Sequence, residues 1–356
     1  MPTNKVVRVS RKAGDKNDID LKELTKAKPI MTLPKEVQQA LSMKASKLSD
    51  DDAKQLQEKI DRDTNDIESR IVLLGYYYRK GILNKKFREP HLQLACWFIE
   101  NYPESDAAGD HSMRVDAISN PQGFINGKDL WEKALNTNPK SVPVLVNASK
   151  YFMFSDKAKS EALLKQAQEL EPNNADLMTQ LAQLYSMSVI WERTKEGRQR
   201  WSKKSLEQFE KALNLEMDSP NSKNLIGYAA KSAFGAGEIE KAKQYAERLL
   251  KLEDTGDSLH NGNTILGRLA IQTGDLDSAC KYLLESGKTS GSPVLGSFGP
   301  SMILAKELLE KGKKDVVLEY LELCKVFWGL DRGQLKKWMV TVNDGRIPDF
   351  GANLNR

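Results

Sequence analysis

The chain of 356 residues is long enough for two or three compact domains or one elongated repeat array. Hydrophobic residues at 40% place it in the globular range, and charged residues at 29% require a large solvated surface. Its longest comparable apolar run, residues 71–78, is far short of the roughly 18 residues that cross a bilayer, which excludes a transmembrane span. The 54 Lys and Arg exceed the 49 Asp and Glu by five, a balance that tolerates an acidic partner without requiring nucleic acid.

The opening MPTNKVVRVSRKAGDKND has basic residues but neither an apolar segment nor a small-residue cleavage site, so no secretory leader is expected. Cys96, Cys280 and Cys324 are odd in number and far apart, which argues against a disulfide framework. A cytoplasmic protein with no membrane partner is the expectation.

Residues 1–33 hold eight Lys or Arg, four acids and little apolar surface, and read as a disordered basic tail. Residues 34–65 form an N-terminal helix or half-repeat. Within it Ser49 and Asp52 suggest a capping pair, followed by Ala53, Leu56 and Ile60 at helical spacing. Residues 107–120 read as a further helix without a clear signature.

From residue 66 to 328 the pattern repeats. Ala148 and Tyr151 recur 34 residues later as Ala182 and Tyr185. Gly75 and Tyr78 share the phase, and Pro103, Pro139 and Pro172 stop second helices. Gly237, Gly274 and Gly312 then follow one another at 37 and 38 residues, a drift that loop insertions absorb cheaply. This pattern resembles the tetratricopeptide repeat family, whose units are helix–turn–helix hairpins. The resemblance implies an all-α, right-handed α-solenoid in which Gly75, Ala148, Ala182, Gly267 and Ala305 allow close helix approach. Residues 329–356 leave the phase and read as a C-terminal cap, with Leu330, Leu335, Trp338 and Met339 docked on the last hairpin.

No catalytic constellation emerges. His91, His111 and His260 are isolated, so no metal and no cofactor are expected, and no enzymatic activity. Gly287-Lys288-Thr289 lacks the glycine of a phosphate-binding loop, because position 282 is Tyr. The cysteines read as small hydrophobes. Residues 290–300 read as a long inter-repeat turn with Pro300 opening a helix, a reading preferred to an anion cradle at that helix's first amides.

In the family the first helix of each hairpin lines a concave groove. Taking the small residue of each first helix as reference, the next position is Gln183, Lys231, Arg268 and Lys306 in successive units. Asn224 and Asn261 lie six residues before the reference position. The row of cations with amides nearby suits an acidic or extended peptide segment, and so a protein-binding scaffold. It does not reproduce the family's carboxylate clamp. Two alternatives stand beside it. An insertion after Tyr185 carries Trp191, Arg198, Arg200 and Trp201, a basic and aromatic mixture suited to nucleic acid. A subunit of an enzyme complex is the other.

Overall fold

The computed structural model describes residues 35–216, 222–252 and 256–354. The basic tail expected over residues 1–33 lies outside them. Contacts divide the chain into two compact units, residues 1–156 and 157–356. Among the described residues every regular element is helical, so the fold is all-α.

In the first unit, α1 (Lys35–Lys47) and α2 (Asp50–Arg62) precede α3 (Ile67–Leu83). The Ser49 hydroxyl accepts from the Asp52 amide at 3.1 Å, and the Ser49 amide donates back to the Asp52 carboxylate at 3.4 Å. Asp thus completes a capping box that more often carries Glu or Gln. Val37, Leu41 and Ala45 form one stripe of α1 and cluster with Val72 of α3. Gly75 makes that approach possible, since a Cβ there would stand 3.0 Å from the Ala45 methyl. Arg70 of α3 is buried without a carboxylate contact; its guanidinium lies 4.1 Å over the Trp97 ring and donates to Thr64 O at 3.3 Å.

After α4 (Arg88–Asn101) the chain does not form the helix expected over residues 107–120. Two short 3-10 turns, Asp106–Gly109 and His111–Met113, stand there instead. Local side chains compete with the helix for backbone amides. Ser105 Oγ accepts from Ala108 N, Asp110 Oδ1 from Ser112 N, and Asp116 Oδ1 from both Ile118 N and Ser119 N. Then come α5 (Pro121–Thr137), around the fully buried Trp131, and α6 (Val142–Phe152). Asn147 of α6 donates to Pro103 O and Ser105 O, both at 2.9 Å, and ties the irregular segment down.

The second unit runs α7 (Lys157–Leu170), α8 (Ala175–Trp191), α9 (Lys195–Leu215), α10 (Ser222–Ala236), α11 (Ile239–Lys251), α12 (Gly256–Gln272) and α13 (Leu276–Gly287). It continues through α14 (Pro293–Phe298), α15 (Ile303–Glu310), α16 (Lys314–Phe327) and α17 (Gln334–Asn343). From α7 to α13 and from α15 to α17 helices adjacent in sequence pack on one another, and α10 also packs on α12 and α12 on α15. This is the architecture that the tetratricopeptide resemblance implies.

The repeat markers have physical causes. Pro103, Pro139 and Pro172 each stand two residues past the last residue of α4, α5 and α7. Gly237, Gly274 and Gly312 have φ of +79°, +80° and +75°, the left-handed conformation that closes the first helix of a hairpin. The amide after each bonds back five residues, to Ala233 O, Ala270 O and Leu308 O, at 2.9, 2.9 and 3.0 Å.

Leu335 and Trp338 of α17 are buried in the core of the last hairpin, with Met339 packed against it. Leu330 does not join them and is exposed. Its position is fixed instead by its backbone, because Leu330 N donates to Gly296 O at 3.2 Å. The turn Gly351–Leu354 folds back on the segment before α15. Asn353 donates to Phe298 O and Pro300 O at 3.2 and 2.8 Å, and its carbonyl accepts from Met302 N at 2.8 Å.

Candidate partner-binding face

The small positions that set the phase are buried in the second unit: Ala182, Ala230, Gly267 and Ala305. The residue after each therefore emerges beside a close helix contact. Gln183 and Lys231 are exposed, whereas Arg268 and Lys306 are half-buried. Ser205 of α9 links the first two helices. Its hydroxyl donates to Ala182 O at 3.0 Å and lies 2.7 and 3.1 Å from the hydroxyls of Ser186 and Ser232.

The cationic row is unequal. Arg268 forms a bidentate pair with Glu307, Nη2 to Oε1 at 2.7 Å and Nε to Oε2 at 3.0 Å, while its guanidinium lies 4.1 Å over Phe234. That fork joins α12 to α15 and holds most of the arginine's charge. Lys306 approaches Glu310 at 3.7 Å, one helical turn away. Asn224 is exposed and Asn261 half-buried. A residue missed from sequence joins this face: Tyr228, four residues after Asn224 and three before Lys231, is 43% exposed. One side of its ring stacks on Phe209 at 5.3 Å, which leaves the outer side open. Helical spacing from Asn224 was the signal that could have found it.

The basic and aromatic insertion turns out to lengthen two helices, α8 and α9. Arg200 lies 5.8 Å from the Trp201 ring. Trp201 stacks on Tyr185 at 5.7 Å and is covered by Lys204, whose Nζ stands 4.6 Å from the ring. Arg198 donates to Glu192 O and Arg193 O, both at 3.0 Å, and so caps the end of α8. Trp191 remains 66% exposed with Lys157 Nζ at 5.7 Å, and Arg200 is exposed.

The histidines serve packing. His91 and His111 lie in the first unit, each with its ring 5.6 Å from that of Tyr78. The buried His91 Nε2 contacts Ser112 O at 2.6 Å, a bond it makes as the donor. In the second unit His260 is buried between α12, α13 and the segment before α15. Its Nδ1 donates to Ser286 O at 3.1 Å and its Nε2 accepts from Ser301 N at 3.0 Å, which fixes the neutral tautomer. Burial pushes its pKa down to about 4. These bonds also leave no anion cradle at Pro300, in keeping with the preference for a plain turn. The helix begins at Ile303, and the amides of Ser301 and Met302 are already taken by His260 and Asn353. Among the described residues no group of three metal-ligating side chains assembles. No helix among them is long and apolar enough to cross a membrane.

Burial raises the thiol pKa of all three cysteines, to about 11 for Cys96. Two units of pKa remove about 99% of the thiolate present at neutral pH, so native Cys96 should alkylate roughly a hundredfold more slowly than an ordinary thiol. Cys324, fully buried, should react with iodoacetamide only after unfolding. Mass spectrometry of pulse-labelled native and urea-treated protein checks both, and rapid native labelling of Cys324 would contradict its placement.

No family model matches the chain, and no curated protein matches it. Among solved structures it is similar to the human IFIT1 dimer with m7Gppp-AAAA, at 17% identity and a TM-score of 0.47. The likeness covers 85% of this chain and 69% of that one.

Proposed function

We propose that the chain is a non-enzymatic, cytoplasmic binding module that recognises an extended protein segment along the face of α8, α10, α12 and α15. The observation that supports this reading is the direct packing of α10 on α12 and α12 on α15, the helices on which Lys231, Arg268 and Lys306 each follow a buried small residue. Asn224, Asn261 and Gln183 supply amides for a peptide backbone, and the open side of Tyr228 supplies apolar contact. Lys231, Arg268 and Lys306 supply attraction for acidic groups, and Arg268, paired with Glu307, is also the strut between helices.

The test is the double reversal Lys231→Glu/Lys306→Glu, which spares the Arg268–Glu307 pair and so the helix packing. Quantitative capture from native lysate should show one acidic protein partner retained by the wild type and reduced about tenfold in the variant. Circular dichroism should show unchanged helix content. An identical set of partners on both proteins would refute the groove assignment. A second reading rests on the exposed Trp191 beside Lys157: a single nucleic-acid base stacked on the indole. Nuclease-sensitive material lost on Trp191→Ala and kept by the lysine variant would favour it.

A further inference from the structure

At one edge of the first unit three aliphatic side chains stand in water. Leu83 and Ile118 are each 93% exposed, and Ile82 is 64% exposed. Leu83 ends α3, while Ile118 sits in the turn whose amides are held by Asp116. The two tips are distant in sequence and joined by one guanidinium. Arg88 Nε donates to Gly81 O at 3.1 Å and its Nη1 donates to Ser119 O at 2.9 Å. A cleft of about 220 Å³ lies there, lined among others by Ile82, Arg88, Arg114 and Ser119. The tips are therefore braced together rather than free to fold inward.

The charge around them is mostly positive, with Asp116 the acid in Ile118's own turn. Residues 79–88 contain five Lys or Arg and no acid. Lys80 is engaged by Asp50 at 2.6 Å, but Lys85 and Lys86 are exposed; Arg114, exposed beside Ile118's turn, lies over the Phe154 ring at 4.0 Å and 3.7 Å from Asp116. Protruding aliphatic side chains ringed by cations have few stable uses in water.

We propose that this edge docks on an anionic phospholipid surface. Ile82, Leu83 and Ile118 enter the boundary between headgroups and acyl chains, while Lys85, Lys86 and Arg114 meet the headgroup phosphates. Nucleic acid fits the same charge but is gripped by stacking, and none of the three tip residues is aromatic. A peptide partner would seat in a recess, whereas these side chains project. The expectation of no membrane partner came from the absence of a long apolar run. It does not reach a surface made of two adjacent residues and a third that follows 35 positions later. The proposal is independent of the groove in the second unit.

Co-sedimentation of the full chain with vesicles decides it. The wild type should pellet with phosphatidylcholine vesicles containing phosphatidylserine and remain in solution with phosphatidylcholine alone. Leu83→Ser/Ile118→Ser should lower partitioning about tenfold at unchanged melting temperature, since each aliphatic residue leaves the bilayer boundary. Lys85→Glu/Lys86→Glu should lower it similarly and abolish its salt dependence. Failure of the wild type to pellet with anionic vesicles overturns the proposal. So does binding that both variants retain. A single-stranded RNA oligonucleotide serves as the competing probe: RNA retention lost on charge reversal, with vesicles unbound, would assign the surface to nucleic acid instead.

Discussion

Alanine at position 299 is expected to destabilise the second unit by about 3 kcal/mol, the sum of a backbone and a packing penalty. Gly299 closes α14 with φ 83° and ψ 173°, a region that residues with a Cβ scarcely enter. The added methyl would also fall on the indole of Trp328, well inside van der Waals contact. That indole has little room to move. It is buried against Trp338, with ring centroids 5.5 Å apart, and Trp338 in turn meets Phe350 at 5.0 Å. Urea unfolding followed by tryptophan fluorescence measures the loss directly. Repeating Gly299→Ala in a Trp328→Leu background separates the two penalties, because the smaller side chain should relieve the packing part and leave the backbone part. A wild-type midpoint in the single variant would show that the segment after α14 adapts freely.

The second large effect is a loss of stability in weak acid, centred on His260. Burial holds its pKa at about 4, below the 6.5 of an exposed imidazole. Between those values the unfolded chain binds the proton and the folded one does not. Stability from this residue is therefore full above pH 6.5 and is lost as pH falls toward 4, by about 3 kcal/mol over the 2.5 units. Protonation would also place a donor at Nε2 against the Ser301 amide, which already points a donor there. His91 is shifted the same way by burial in the first unit, so the parent protein has more than one acid-sensitive group. His260→Gln isolates the contribution. It should lower stability at pH 7.5, by loss of shape, yet flatten the decline between pH 6.5 and 4. Equal slopes for variant and parent would show that the imidazole is not the acid-sensitive group.

Some of this architecture was legible in the residues because few alternatives satisfy the backbone. A left-handed turn after a helix nearly requires glycine, so Gly237, Gly274 and Gly312 announced three hairpins. Proline cannot extend a helix, so Pro103, Pro139 and Pro172 announced three endings. The segment before α5 was illegible for the opposite reason. Its apolar residues fit a helix, but Ser105, Asp110 and Asp116 each captured local amides and broke it into turns. The face of α10, α12 and α15 was legible as a register and not as chemistry. Whether a cation on that register is open depends on a neighbour 39 residues away, as Glu307 shows for Arg268. Trp191 and Trp201 make the same point. They have similar basic surroundings in sequence, yet Tyr185 and Lys204 cover one and leave the other exposed.

The return of Asn353 onto Phe298, Pro300 and Met302 changes how the last hairpin can come apart. A stack of hairpins held only by nearest neighbours peels from its end, one helix at a time. Here the final turn is sewn to a segment more than 50 residues upstream, across the start of α15. Neither α16 nor α17 can lift away while that stitch holds, and releasing it exposes the Trp328–Trp338–Phe350 cluster at once. Amide protons from Met302 to Val342 should accordingly exchange with solvent as a single opening unit, an end without a frayed edge.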